Sequence, residues 1–179
     1  MPSTYYNTEA IVLKKTPYGE ADFIVRMLTK DYGKVDIVTK GARKSISKLN
    51  PHIDVGNHIR AYFVKNGERM STLTDAEVVD THPWWFHDQE MMAFLERAFR
   101  TIDMLVPIEQ ADQRIFEIVR ALLRHPEKHR GAMFPYEKLG HLFLRELFMR
   151  EGYGDAPRAD FLPAEIRDDI IKLWPTLRT

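Results

Sequence analysis

Residue types that serve catalysis or metal binding are present, but their spacing suits neither. Seven histidines are scattered as His52, His58, His82, His87, His125, His129 and His141. His125 and His129, four apart, would present two ligands on one helix face. Pro126 breaks that helix, Glu127, Lys128 and Arg130 mark a solvated turn, and a functional site also needs a third ligand. Asp168 and Asp169 resemble a carboxylate pair, yet adjacent residues on a helix do not face each other, so a solvated face is expected. There is no cysteine, which excludes a thiol nucleophile, a disulfide scaffold and a thiolate zinc site. The phosphate-cradling GxxxxGK[ST] loop, the GxGxxG fingerprint and the GxSxG elbow are all missing. Enzymatic turnover is therefore not expected, and neither is a cofactor or a metal.

The chemistry left is that of charge. Lys plus Arg and Asp plus Glu each number 26, so the formal net charge is zero. The distribution is uneven: up to Thr72 there are 12 bases against 7 acids, and from Pro83 onward 14 against 16. Between Asp36 and Asp54 there is no acid, while Lys40, Arg43, Lys44 and Lys48 all fall there. Such a stretch attracts polyanions through counterion release, unless it is a solvated loop with no partner. Further bases sit on or beside the candidate strands: Lys14 and Lys15 at the end of the first, Arg26 in the second, Lys34 in the third, Arg60 and Lys65 around the fourth. If these strands share a barrel, the bases can line one groove. Tyr18, Tyr32 and Tyr62 are candidate base-stacking rings, with core or turn packing the blander role for each. Ser45 and Ser47 could add phosphate hydrogen bonds. No base-reading helix is evident, so binding should be led by phosphates and weakly sequence-specific.

The elements that would position these groups change character near residue 82. Before it, apolar runs are short and β-branched, broken by turn residues. Strands are expected over 8–15, 22–29, 34–39, 58–64 and 70–79. Turns are expected at 17–20, at 30–33 with Gly33 left-handed, and at 65–68 with its Asn-Gly pair. Val35, Ile37 and Thr39 should share one face of the third strand, with Lys34, Asp36, Val38 and Lys40 on the other. A basic loop covers 41–51. Five strands with a long loop after the third suit a small barrel such as an OB-fold, with a small sandwich or SH3-like barrel as the competing reading. After Pro83 the spacing turns helical. Met92, Leu95, Phe99, Ile102 and Val106 make one stripe, ended by Pro107. Ile115, Ile118, Val119, Leu122 and Leu123 make a second. A third helix is expected from Pro135 to about Gly152, a linker over 155–160 and a short helix over 163–173. Trp84, Trp85 and Phe86, flanked by His82 and His87, read as a wedge at the junction in preference to a stacking platform. The expected class is α+β, with a β module over 1–82 and a helical domain over 83–179 whose short final part is 155–179.

Twenty aromatics and a 44% hydrophobic share are ample for a packed core. No apolar run approaches the roughly 20 residues of a membrane span, and the N-terminus lacks the pattern of a signal peptide. A cytoplasmic location is expected.

Several short segments together resemble the RecO family of bacterial recombination mediators. They are Glu9 to Lys15 (EAIVLKK), Pro17 to Asp22 (PYGEAD), Leu28-Thr29 with Tyr32 to Val35 (YGKV), Lys40 to Lys44 (KGARK), Leu73 to Val78 (LTDAEV) and, more loosely, Leu142 to Tyr153. The resemblance implies an N-terminal OB-fold, a helical domain and no turnover. It implies binding of single- and double-stranded DNA and annealing of complementary strands. It also implies contact with the tail of the single-stranded-DNA-binding protein, and RecA loading together with RecR. Lys14, Lys15, Lys34, Lys40, Arg43 and Lys44 are the matched bases; Arg26, Lys48 and Arg60 join them as DNA-binding candidates. Arg120, Arg124 and Arg145, beside apolar stripes, are candidates for a carboxylate-ended peptide. Many relatives carry a four-cysteine zinc module after the Gly-Tyr; here 155–160 has no ligands, and the chain is shorter than a typical member.

Overall fold

The computed structural model describes residues 3–44, 47–67, 69–82, 89–124 and 147. The third and last helices, the 155–160 linker, the Trp84–Phe86 wedge, His87, His125, His129, His141, Asp168, Asp169, Ser45 and Arg145 lie outside them. The class is α+β. Five strands, β1 (Ser3–Tyr18), β2 (Asp22–Thr29), β3 (Gly33–Thr39), β4 (His58–Asn66) and β5 (Ser71–Asp80), precede α1 (Gln89–Leu105) and α2 (Gln113–Arg124). The strands close into a barrel in the order β1-β2-β3-β5-β4. All pairs are antiparallel except β3 with β5, a short parallel seam through Ile37↔Ser71 and Val38↔Thr72. That arrangement is the OB-type barrel and not a sandwich.

Alternation fills the interior. Ala10 and Val12 of β1, Val25 and Met27 of β2, Val35 and Ile37 of β3, Ile59, Ala61 and Phe63 of β4, and Leu73 and Ala76 of β5 make the core. Tyr6 stacks on Phe63 (centroids 4.9 Å apart) and meets Tyr32 edge-on at 5.0 Å. Tyr32 is therefore a core ring and not an exposed stacker. The loop after β3 plugs the barrel with Ala42, Leu49 and Ile53. Ala42 and Ile53 are fully buried and Leu49 packs half-buried against them; burying Ile53 alone is worth roughly 1.5–3 kcal/mol.

The outer face is partly covered as well. The registers His58↔Ile11, Ile11↔Leu28 and Leu28↔Lys34 define one row across β4, β1, β2 and β3. All four residues are buried, Lys34 to 3% exposure and His58 to 1%. At one end Phe116 of α2 meets the His58 ring at 5.7 Å. At the other, Ile108 bridges to Lys34 and the Glu109 N–H donates to the Lys34 carbonyl at 2.9 Å. Pro107–Leu123 accordingly group with the barrel as one compact unit, whereas a boundary at 83 would assign them to the helical part. Gly33 permits the crossing. Its φ is +71°, and a Cβ there would land on the Gln110 carbonyl and 2.7 Å from its nitrogen. Glu109 pays for its own left-handed φ of 57° with that N–H bond and with an ion pair to Lys65.

Asp112 caps α2, its Oδ1 accepting from the Arg114 and Ile115 N–H groups at 2.8 and 3.3 Å. The buried side of α2 is Ile115, Phe116, Val119, Leu122 and Leu123; Phe116 takes the place expected of Ile118, which is half-buried. α1 belongs to the second compact unit. Its buried side is Met91, Phe94, Leu95, Ala98, Phe99, Thr101, Ile102 and Leu105, and Met92, expected inside, is exposed. Met91 replaces it because i, i+4 spacing to Leu95 keeps both on one stripe with Phe94 and Ala98.

Candidate nucleic-acid interface

The barrel plug decides where the loop bases go. Because Ala42 and Leu49 point into the core, Arg43, Lys44 and Lys48 are driven out to solvent. Gly41, with φ +66°, turns the chain out of β3. Its N–H donates to Asp22 Oδ1 at 2.7 Å, and the Arg43 N–H donates to the Ala21 carbonyl at 2.9 Å. Arg43 Nη1 also donates to the Gly19 carbonyl at 2.9 Å. The basic loop is thus clasped to the β1–β2 turn. Lys40, at the end of β3, is exposed beside it.

A bulge in β1 sorts its two lysines. The register slips between Val12 and Lys14, after which Lys14 pairs with Arg26 and Lys15 with Val25. Val25 is core, so Lys14 shares the outward side with Arg26 and Lys15 turns toward the barrel mouth. There Lys15 Nζ binds Asp54 Oδ1 at 2.9 Å and Asn50 Oδ1 at 2.8 Å, and lies 4.7 Å from the Phe23 ring centroid. Past the bulge Lys14, Thr16 and Tyr18 line one outward edge, and Lys14 and Tyr18 are exposed.

The remaining expected bases are committed to partners within the chain. Arg26 makes a two-pronged pair with Asp36, Nε to Oδ1 at 2.7 Å and Nη2 to Oδ2 at 2.6 Å. Arg60 lies opposite Glu9, with Nη2 3.9 Å from Oε1, while Glu9 Oε2 holds His58 Nε2 at 2.9 Å. Lys65 Nζ binds Glu109 Oε1 at 2.9 Å; the hydrogen bond first, then the carboxylate charge, raises the Lys65 pKa above its ordinary 10.5. Lys34 was expected on an open face and is instead buried beneath residues 108 and 109. The single groove expected of all these bases therefore resolves into two sets. Lys14, Lys40, Arg43, Lys44 and Lys48 reach solvent with no carboxylate partner among the described residues, whereas Lys15, Arg26, Arg60 and Lys65 face a carboxylate of the same chain and Lys34 is covered. Glu20 is an exposed acid at the turn, while Asp22 and Asp54 nearby are engaged by the Gly41 N–H and by Lys15. Tyr62 is half-buried and Tyr18 is 53% exposed.

Of the candidates for peptide contact, Arg120 pairs with Glu117 one turn away along α2, and Arg124 ends that helix. Among the described residues no group of three His, Asp or Glu side chains could hold a metal ion. No described helix is long and apolar enough to cross a membrane.

The barrel coincides with the region that matches a known family. Residues 1–82 match the family model described as "Recombination protein O N terminal". The chain is 29% identical over 126 residues to a DNA repair protein RecO of Thermodesulfovibrio yellowstonii, covering 69% of this chain and 50% of the relative. It is 31% identical over 108 residues to that of Symbiobacterium thermophilum, covering 60% and 42%. It is 32% identical over 117 residues to that of Listeria monocytogenes, covering 65% and 45%. The chain spans about half the length of these curated relatives. A matching model over the whole β module, relatives that carry one name, and the expected barrel agree: residues 1–82 are similar to the N-terminal module of the RecO family.

Proposed function

We propose that this chain acts in DNA repair and recombination as a DNA-binding protein without catalytic turnover, holding strands by their phosphates and promoting their annealing. The observation that carries this reading is the surface of Lys14, Lys40, Arg43, Lys44 and Lys48, presented by a plugged and clasped loop and left without intramolecular carboxylates among the described residues. Two strands repel because each is a dense line of negative charge. Bound cations replace the condensed counterions, and a strand held by its backbone leaves its bases open to a complement. The curated relatives' shared name, DNA repair protein RecO, supports the same setting. Docking to RecR and to the tail of the single-stranded-DNA-binding protein, with assistance to RecA, follows from the family resemblance, as does a cytoplasmic location.

The test is a titration of the chain with labelled single-stranded DNA across a salt series. Binding should weaken steeply with salt, with a slope of about 0.7 per phosphate contacted. Replacing Arg43 and Lys44 with alanine should flatten that slope by about 1.4. A slope unchanged by the double substitution would remove the loop from the interface. A protein-interaction adaptor would show no salt-dependent shift, and an RNA-binding module would prefer RNA over DNA of the same sequence.

A further inference from the structure

Tyr18 is the one aromatic placed at the charged end of the barrel without a structural task there among the described contacts. Tyr32 and Tyr6 are consumed by the core and Phe23 packs on it. The Tyr18 ring is 53% exposed at the last position of β1, pairing with Asp22, whose carboxylate is turned to the Gly41 N–H. Alternation past the bulge puts it on the same outward edge as Lys14, two pleats away. The next residue, Gly19, accepts the Arg43 guanidinium through its carbonyl. Lys40 lies one residue beyond the Phe23↔Thr39 pair, across β2 from this edge. An apolar ring is thus set between cations that have no carboxylate partner among the described residues. Tyr5 supplies the contrast. It is 77% exposed at the other end of β1, but there Lys65, opposite its neighbour Thr4, is taken by Glu109.

We propose that Tyr18 stacks on an unpaired base of a strand whose phosphates lie along Lys14, Lys40, Arg43 and Lys44, so that this end of the barrel takes single-stranded DNA in preference to duplex. The proposal rests on the DNA-binding reading and names the form of DNA. In a duplex the base faces are occupied by their neighbours, and a ring beside the backbone gains nothing. In a single strand a base can rotate onto the ring, and every base has a face to offer, so the preference carries no sequence.

The experiment compares the full chain with its Tyr18→Leu and Tyr18→Phe variants. The probes are a labelled oligothymidine, the same backbone made abasic, and a duplex, all at one salt concentration. The native chain and Tyr18→Phe should bind the base-bearing strand at least about fivefold more tightly than the abasic one. Tyr18→Leu should bring the two within twofold, with the salt slope of each unchanged because no cation is removed. If Tyr18→Leu keeps the native ratio of base-bearing to abasic affinity, stacking at Tyr18 is overturned while DNA binding stands. If the native chain binds no probe in a salt-dependent way, DNA binding itself fails and the stacking proposal falls with it.

Discussion

At the Tyr18 end of β1, Lys14, Lys40, Arg43 and Lys44 reach solvent beside a turn fixed by backbone hydrogen bonds. Lys15 at the barrel mouth and Arg26 and Lys65 along its wall are no less basic, yet each is held by a carboxylate of the same chain. Lys34 is covered outright. The same residue types therefore do two jobs. Those on the wall stabilise the barrel and its covering segment, and those at the loop end are left with charge to offer. What decides between them is backbone geometry: a bulge for Lys14 against Lys15, a hairpin register for Arg26, a crossing segment for Lys34 and Lys65.

Gly33→Ala should break the wall side of this contrast most severely. It strains a left-handed position and drives a methyl group into the Gln110 backbone. The expected loss is about 2–4 kcal/mol, read by urea unfolding. In the fraction that stays folded, single-strand affinity should not fall, because the loop end is untouched. A parallel loss of affinity at full folding would tie the two regions together and blur the distinction.

Arg26→Ala sharpens it. Removing the guanidinium leaves Asp36 half-buried without its two-pronged partner, and stability should drop by about 1 kcal/mol. The salt slope for DNA should be unchanged. A flattened slope would place Arg26 on the interface despite its pairing.

The smallest effect belongs to Lys65 and Glu109. Because folding raises the Lys65 pKa, the pair's contribution is complete below about 10.5 and is lost as pH rises through the raised value. Glu109→Gln should therefore cost about 0.5 kcal/mol at neutral pH and nothing in strong alkali. A cost that persists in strong alkali would mean Glu109 acts through its shape or backbone and not through the ion pair.

Much of this was open to sequence reasoning. The second strand, 22–29, was expected with the bounds it has, because turn residues flank a β-branched run. Gly33 is left-handed, as the turn at 30–33 predicts. The first strand runs longer at both ends than its apolar run, since Ser3 to Tyr6 and Tyr18 are held by pairing with β4 and β2 and not by hydrophobic content. The Arg26–Asp36 pair was within reach. A hairpin closing at 29 and 33 places 26 opposite 36, and the charges match. The bulge after Val12 carries no Gly or Pro to announce it, so the opposite fates of Lys14 and Lys15 were hidden. Lys34 departs from its expected open face because its cover comes from residues more than seventy positions later, a pairing that no local period encodes. The loop bases were legible as a charge run; that Ala42, Leu49 and Ile53 would aim them outward was not.

The central claim is that available charge, and not total charge, makes the interface. Two triple variants of equal net charge test it: Lys40, Arg43 and Lys44 to alanine, against Lys15, Arg26 and Lys65 to alanine, each confirmed folded by circular dichroism. The salt slope of single-stranded DNA binding should flatten by about 2 in the first and stay within error of the native chain in the second. Equal flattening in both, or none in the first, would contradict the account.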